Sequence, residues 1–267
     1  YSLKQVRFSP LYWLNRFALR RALRKTLVKY ELLYTMTQEQ ADAFAALLHR
    51  ELRVLRKCVP LPEAADVPRL LHAPPVRFIY AGGIYYGRDE TLMRIAKACA
   101  LYGGRIDIYT NAPLGRRAER VLNDQKTSFL HAAVPFATLK TLYAESDVAI
   151  HAESFRPKQR SITRLSFSSK IPDCLASGCA VLAVSAPDSV GLQYLKRMDA
   201  ALCVDSTSRI DDAVRQLIKE PALLAAYAEK ARACAKRAHD PTQTRRQLCD
   251  DLTALAYAQG RGALSNH

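Results

Sequence analysis

From Val76 onward the chain alternates short apolar runs with stretches of helical periodicity, and few folds accept that alternation. Strands separated by helix-length segments cannot pair as hairpins; each must cross over a helix and lie parallel to another strand. Six runs read as strands: 76–81 (VRFIYA), 104–110 (GRIDIYT), 127–131 (TSFLH), 147–151 (DVAIH), 180–184 (AVLAV) and 201–204 (ALCV). A helical pattern follows each, marked after the first by Leu92, Ile95, Ala96 and Cys99. The expected fold class is α/β, with a Rossmann-like, parallel, six-stranded sheet over residues 76–235. In a doubly wound sheet of order 3-2-1-4-5-6, ligands bind at the carboxyl ends of the first and fourth strands.

The remainder reads as part of a second α/β domain. Residues 30–35 (YELLYT) suggest a strand, and Thr37 with Gln40 forms a capping-box start for a helix carrying Phe44, Leu47 and Leu48. Residues 1–59 are therefore expected to be the end of another domain, opening at Tyr1 rather than Met as a truncated reading frame would. Pro60, Pro62, Pro68, Pro74 and Pro75 make 60–75 a stiff linker. Three helical patterns follow residue 205. The last, near 241–258 after Asp240-Pro241, is expected to pack back on the first domain within a terminal segment 236–267.

Composition limits the class. Hydrophobic residues at 49% and charged residues at 24% fit a globular chain, and 10 Gly with 13 Pro exclude fibrous and low-complexity ones. No run approaches the roughly 20 apolar residues of a membrane span. Seven cysteines, none in a C-x-x-C pair, read as reduced and mostly buried thiols of a cytoplasmic protein. A net charge of +15 calls for an anionic partner without choosing among phosphate, membrane and nucleic acid.

Two loops lie where that sheet would bind a ligand. After the first strand comes Ala81-Gly82-Gly83-Ile84-Tyr85-Tyr86-Gly87-Arg88, whose glycines admit close backbone approach and whose arginine offers a fork to phosphate. After the fourth comes a polar segment, Ala152 to Ser169, leading to a helix start at Ser168-Ser169-Lys170. There backbone amides, hydroxyls and an ammonium converge on one anion of diphosphate size. Asp173 lies three residues on, placed to accept ribose hydroxyls, and Gly178 ends the helix. Each feature also has a plainer reading. Gly82-Gly83 serves as a tight turn, the serines as caps, Lys170 with Asp173 as an exposed pair, and Arg88 with Asp89 as solvated residues at a helix start. The glycine spacing lacks the dinucleotide fingerprint, which disfavours NAD.

The run SSKIPDCLASGCAVLAVSAPDSVGLQYL resembles the donor-binding signature of retaining glycosyltransferases of the two-Rossmann (GT-B) type, in the family often numbered four. The resemblance extends over most of 30–258, with ELLYTMTQEQADAF similar to the end of the acceptor domain. It implies a sugar transferase that takes a nucleoside-diphosphate sugar and a glycan or lipid-linked acceptor, without cofactor or metal. By the same likeness Lys170 and Arg88, with the amides of Gly83, Ser168 and Ser169, hold the diphosphate; Asp173 meets the ribose, in place of the family's glutamate; and the segment around Val134 meets the base. The family's other acidic residue falls at Leu165, a departure that leaves two readings: Glu153 is a substitute sugar contact, or the transferred sugar is recognised differently. No catalytic residue is assigned, because the acceptor-side residues belong to the half expected before Tyr1.

One feature lies outside the signature. Arg16, Arg20, Arg21, Arg24, Lys25 and Lys29 stand in a stretch without acid, beside Leu19, Ala22, Leu23 and Leu27 and near Tyr12, Trp13 and Phe17. Residues 10–29 read either as an ordinary helix with a basic face or as a surface for anionic lipid, which would place the protein at the inner face of a membrane. Nucleic acid is not expected, since no recognised binding module accompanies the charge. Two further functions compete with transfer: a nucleotide-sugar epimerase of the same architecture, which would need no acceptor, and a non-catalytic basic module, which would bind no nucleotide.

Overall fold

A computed structural model describes residues 12–60 and 73–264, which fall into two compact units, one within residues 61–237 and one within 1–60 and 238–267. Most of the expected linker lies outside the described residues.

The larger unit holds six strands: β3 (Arg77–Ala81), β4 (Arg105–Tyr109), β5 (Ser128–His131), β6 (Val148–Ala152), β7 (Ala180–Val184) and β8 (Leu202–Val204). Every pairing is parallel and the order is β5-β4-β3-β6-β7-β8, which in the sheet's own count is 3-2-1-4-5-6. Each strand lies within a residue or so of its expected place. The composition of each run fits its position. β6 and β7 are buried at every residue, as near-continuous apolar runs allow, with His151 the exception in β6. On the other side of the sheet β4 alternates: Ile106 and Ile108 enter the core, while Arg105, Asp107 and Tyr109 line the other face.

The crossovers are α3 (Arg88–Tyr102), α4 (Arg116–Leu122), α5 (Phe136–Ala144), α6 (Pro157–Thr163), α7 (Lys170–Ala176) and α8 (Val190–Arg197); α9 (Ile210–Lys219) and α10 (Pro221–Ala238) follow the last strand. The main core joins Phe78, Ile106, Ile108, Ile150 and Leu182 of the sheet to Leu92 and Ile95 of α3 and Val214 and Leu217 of α9. The polar stretch 152–169 is not simply a loop: it folds α6, held by Arg156 on Glu90 and by Arg160 on Asp188 at 2.9 Å.

The smaller unit contains α1 (Tyr12–Leu27), β1 (Tyr34–Thr35), α2 (Gln38–Leu48), β2 (Arg53–Val54) and α11 (Pro241–Leu264). The capping box forms: Thr37 Oγ1 accepts from Gln40 N at 3.3 Å, while Gln40 Oε1 accepts from Met36 N at 3.0 Å, one residue earlier than the usual partner. The strand expected at 30–35 is reduced to two residues. Arg50 explains this, donating to the carbonyls of Tyr30 at 2.6 Å and Glu31 at 2.9 Å and so fixing a loop where a ladder was expected. The partner β2 carries no alternation to announce it. From α11, Asp251 accepts from Tyr34 OH at 2.7 Å and Gln247 donates to Val54 O at 2.9 Å.

All seven cysteines are free, with Cys99, Cys174, Cys179 and Cys234 buried. Among the described residues no helix is long and apolar enough to cross a membrane.

Candidate anion-binding site at the switch of the sheet

The strand order reverses between β3 and β6, and six of the sequence-expected residues meet at their carboxyl ends. The turn after β3 needs its glycines. Gly82 has φ +134° and Gly87, capping α3, has φ +76°, both in regions that side chains resist. Space decides as well as conformation. A Cβ on Gly82 would stand 1.7 Å from Lys170 Nζ and 2.0 Å from its Cε, and one on Gly87 would stand 2.8 Å from Ser154 Oγ. The ammonium of Lys170 therefore lies directly on the Gly82 backbone.

Lys170 opens α7, and its Nζ sits 4.8 Å from the centre of the Tyr80 ring, a cation–π contact. The Tyr80 hydroxyl donates to Gly83 O at 2.8 Å, fixing both the ring and the turn. Among the described residues no carboxylate ion-pairs with Lys170. Burial pushes its pKa down to about 8, with the charge of Arg88 on α3 acting in the same direction and Cys174 on α7 and Glu153 opposing.

Arg88 is held in the opposite way. Its Nε donates to Glu153 Oε2 at 3.0 Å and its Nη2 to Oε1 at 2.7 Å, a bidentate pair with side chains 17% and 7% exposed; Nη1 donates to Gly83 O at 3.3 Å. Burial works against the guanidinium's charge, and the bonded Glu153 more than offsets it, so its pKa is raised. Glu153, just past β6, is fixed through its backbone. Its N–H donates to Val184 O at 2.9 Å, and its carbonyl accepts from Thr91 Oγ1 at 2.8 Å.

The remaining expected residues lie on α7, on the segment before it and beyond β5. Ser168 Oγ accepts from Lys170 N at 3.4 Å, and Ser169 is exposed without a side-chain cap. Asp173 is half-buried in the first turn of α7, and Leu165 lies between α6 and α7. Val134 is half-buried between β5 and α5, two strands over from β3. Gly82, Gly83, Arg88, Glu153, Ser168 and Lys170 are thus linked by direct contacts.

Three neighbours were not anticipated: Tyr80, Thr91 and His151. His151 is buried in β6, and burial lowers its pKa to about 4, leaving a neutral ring at ordinary pH; its Nε2 has no hydrogen-bond partner among the described residues. A lone histidine inside an apolar strand was the available signal. Tyr80 and Thr91 read simply as strand and helix residues.

No protein-family model matches the sequence, and no curated protein matches it significantly. Solved structures do match in shape. HepE from Anabaena, in complex with UDP and glucose, superposes with a TM-score of 0.67 at 14% identity, over 88% of this chain and 66% of HepE. Sucrose-phosphate synthase from Thermosynechococcus elongatus gives 0.66 at 15% identity, over 90% and 62%. The fold is that of the GT-B glycosyltransferases. A TarM variant from S. aureus, in complex with fondaparinux, α-GlcNAc-glycerol and UDP, gives 0.63 at 12% identity, over 86% and 45%. The chain thus spans between about half and two thirds of the length of these GT-B proteins.

Proposed function

We propose that the larger unit binds the diphosphate of a nucleoside-diphosphate sugar, and that the activity it serves is glycosyl transfer to a glycan or lipid-linked acceptor. One observation carries the reading: a half-buried ammonium, on a glycine turn at the switch of a doubly wound sheet, with no ion-paired carboxylate among the described residues. A cation taken even partly out of water is costly unless an anion offsets it, and the carboxyl end of the strand at the switch point is where such sheets bind ligands. The GT-B fold supports the choice of anion, since HepE and TarM carry UDP in their complexes.

In this reading Lys170 and the amides of Gly83, Ser168 and Ser169 hold the diphosphate, with Arg88 beside them. Asp173 takes the ribose, the Val134 segment the base, and Glu153 lies toward the sugar. Lys170 then stabilises the leaving nucleoside diphosphate by charge, as expected of a metal-independent, retaining transferase. Thermal-shift titration with UDP, GDP, ADP and NAD at matched salt tests the site, because a ligand of the folded state raises its stability. A shift with one nucleoside diphosphate and none with NAD supports the reading; no shift with any removes it. Dependence of product on an acceptor separates a transferase from an epimerase.

Helix α1 carries a second surface. On α1, Trp13, Leu14 and Phe17 are 70%, 66% and 68% exposed, and Arg16, Arg20, Arg21, Arg24 and Lys25 share the helix with no acid. That combination suits anionic lipid and a cytoplasmic membrane face. Co-sedimentation with phosphatidylglycerol vesicles but not phosphatidylcholine vesicles, lost with Trp13→Ser and Phe17→Ser, is the expected result; equal binding to both removes the lipid reading.

A further inference from the structure

We propose that Glu153 is a positioning residue that acts as a built-in counter-anion of the donor-phosphate site, holding Arg88 in the unliganded protein and weakening the grip on the nucleoside diphosphate. The inference rests on the donor-site reading above and specifies what sets the strength of that site.

Three charges meet at the turn: Lys170, Arg88 and Glu153. The guanidinium commits Nε and Nη2 to the carboxylate and Nη1 to Gly83 O. The Arg88–Glu153 pair is therefore neutral as a unit, and Lys170 supplies the net positive charge. A diphosphate that seeks the fork of Arg88 meets a carboxylate already there, and binding becomes an exchange of one anion for another. The main chain of Glu153 is held on both sides, to Val184 O at 2.9 Å and Thr91 Oγ1 at 2.8 Å, which tethers its carboxylate beside the turn. Coulomb repulsion at this range, in a partly desolvated site, is large enough to change affinity by an order of magnitude. The consequence suits turnover: a site carrying two uncompensated cations would hold the nucleoside diphosphate product tightly, and product release commonly limits such enzymes.

Calorimetric titration of the full chain and its Glu153→Gln variant with UDP, and with pyrophosphate as a base-free probe, tests this. Glutamine keeps the shape and one acceptor for Arg88 while removing the charge. The variant is expected to bind both probes about tenfold more tightly. Glu153 also supports the protonated form of Lys170, so the pH above which binding weakens should fall below that of the unaltered protein. The groups around that ammonium are Arg88, Glu153, Cys174, Tyr80 and the neutral His151, and of these only Glu153 changes. A carboxylate with a purely structural role would give weaker binding and an unmoved pH midpoint, and either unchanged or weaker affinity in a folded variant overturns the proposal.

A measurement on the unaltered protein guards against a variant that fails to fold. The Arg88 Nε–Hε resonance, followed by NMR, should move on saturation with UDP as the guanidinium changes partner; binding with no movement overturns the proposal equally. If the unaltered protein binds neither probe, the donor-site reading falls and this inference with it. Binding without tightening in the variant removes the inference alone.

Discussion

Lys170 and Arg88 approach the same glycine turn from opposite sides of the switch point, and the fold treats them in opposite ways. Arg88 is paired by a buried fork to Glu153, and its pKa is raised; Lys170 rests on an aromatic ring without a carboxylate, and its pKa is lowered to about 8. A cation whose charge is satisfied within the fold contributes to stability. One whose charge is left unsatisfied is a cost to the unliganded fold and a resource for binding. The contrast separates two residues that the sequence offers as equivalent phosphate ligands.

The largest expected effect is on stability. Arg88→Met removes the partner of a carboxylate only 7% exposed, and breaking a buried pair by one member costs about 3–5 kcal/mol. Urea unfolding should show that loss in full at neutral pH. A change under about 1 kcal/mol would mean that Glu153 finds another partner or solvent, and the contrast between the two cations would fail.

Lys170→Met should do the reverse. Stability is expected to hold or rise, because a half-buried charge without an ion-pair partner is removed, while UDP affinity falls by about 2–3 kcal/mol, roughly thirty- to a hundred-and-fiftyfold. Loss of stability without loss of binding would assign Lys170 to the scaffold. Next in size comes Gly82→Ala, which sets a side chain at φ +134° and into the space of Lys170. It should cost about 2 kcal/mol of stability and also weaken UDP, since the ammonium must move. Unimpaired binding would show that the position of Lys170 over the turn is not what the ligand reads.

These contrasts explain which parts were legible. The six strands could be read because parallel central strands need continuous apolar runs, and such runs are visible one segment at a time. Lys170 could be read for a similar reason: Ser168, Ser169 and Lys170 are adjacent in sequence and stand together at the start of α7. The Arg88–Glu153 pair could not. Its members are 65 residues apart and are brought together only by the pairing of β3 with β6, so the sequence presents them as two separate ligands. The strand at 30–35 misled for a like reason. Its apolar pattern is real, but Arg50 captures the carbonyls of Tyr30 and Glu31 from twenty residues away, and side chain to backbone bonds of that kind leave no periodicity.

The smallest effect is on pH, and its sign is the sharpest test of the contrast. Lys170 has a folded pKa of about 8 against an ordinary 10.5, so the folded state carries the penalty of its charge in full below about pH 8 and sheds it as pH rises toward 10.5. Over that window its contribution to the stability of the unliganded protein rises. Affinity for UDP should move the other way, because the diphosphate reads the protonated form: from pH 7 to 9 it should fall about tenfold, the factor expected when one group titrates a unit below the working pH. Arg88 stays charged throughout and contributes neither trend. Stability rising while affinity falls between pH 8 and 10.5, with both trends absent in Lys170→Met, places the titrating charge at this ammonium. A fall in affinity that survives in Lys170→Met would place it elsewhere and leave the two cations indistinguishable in solution.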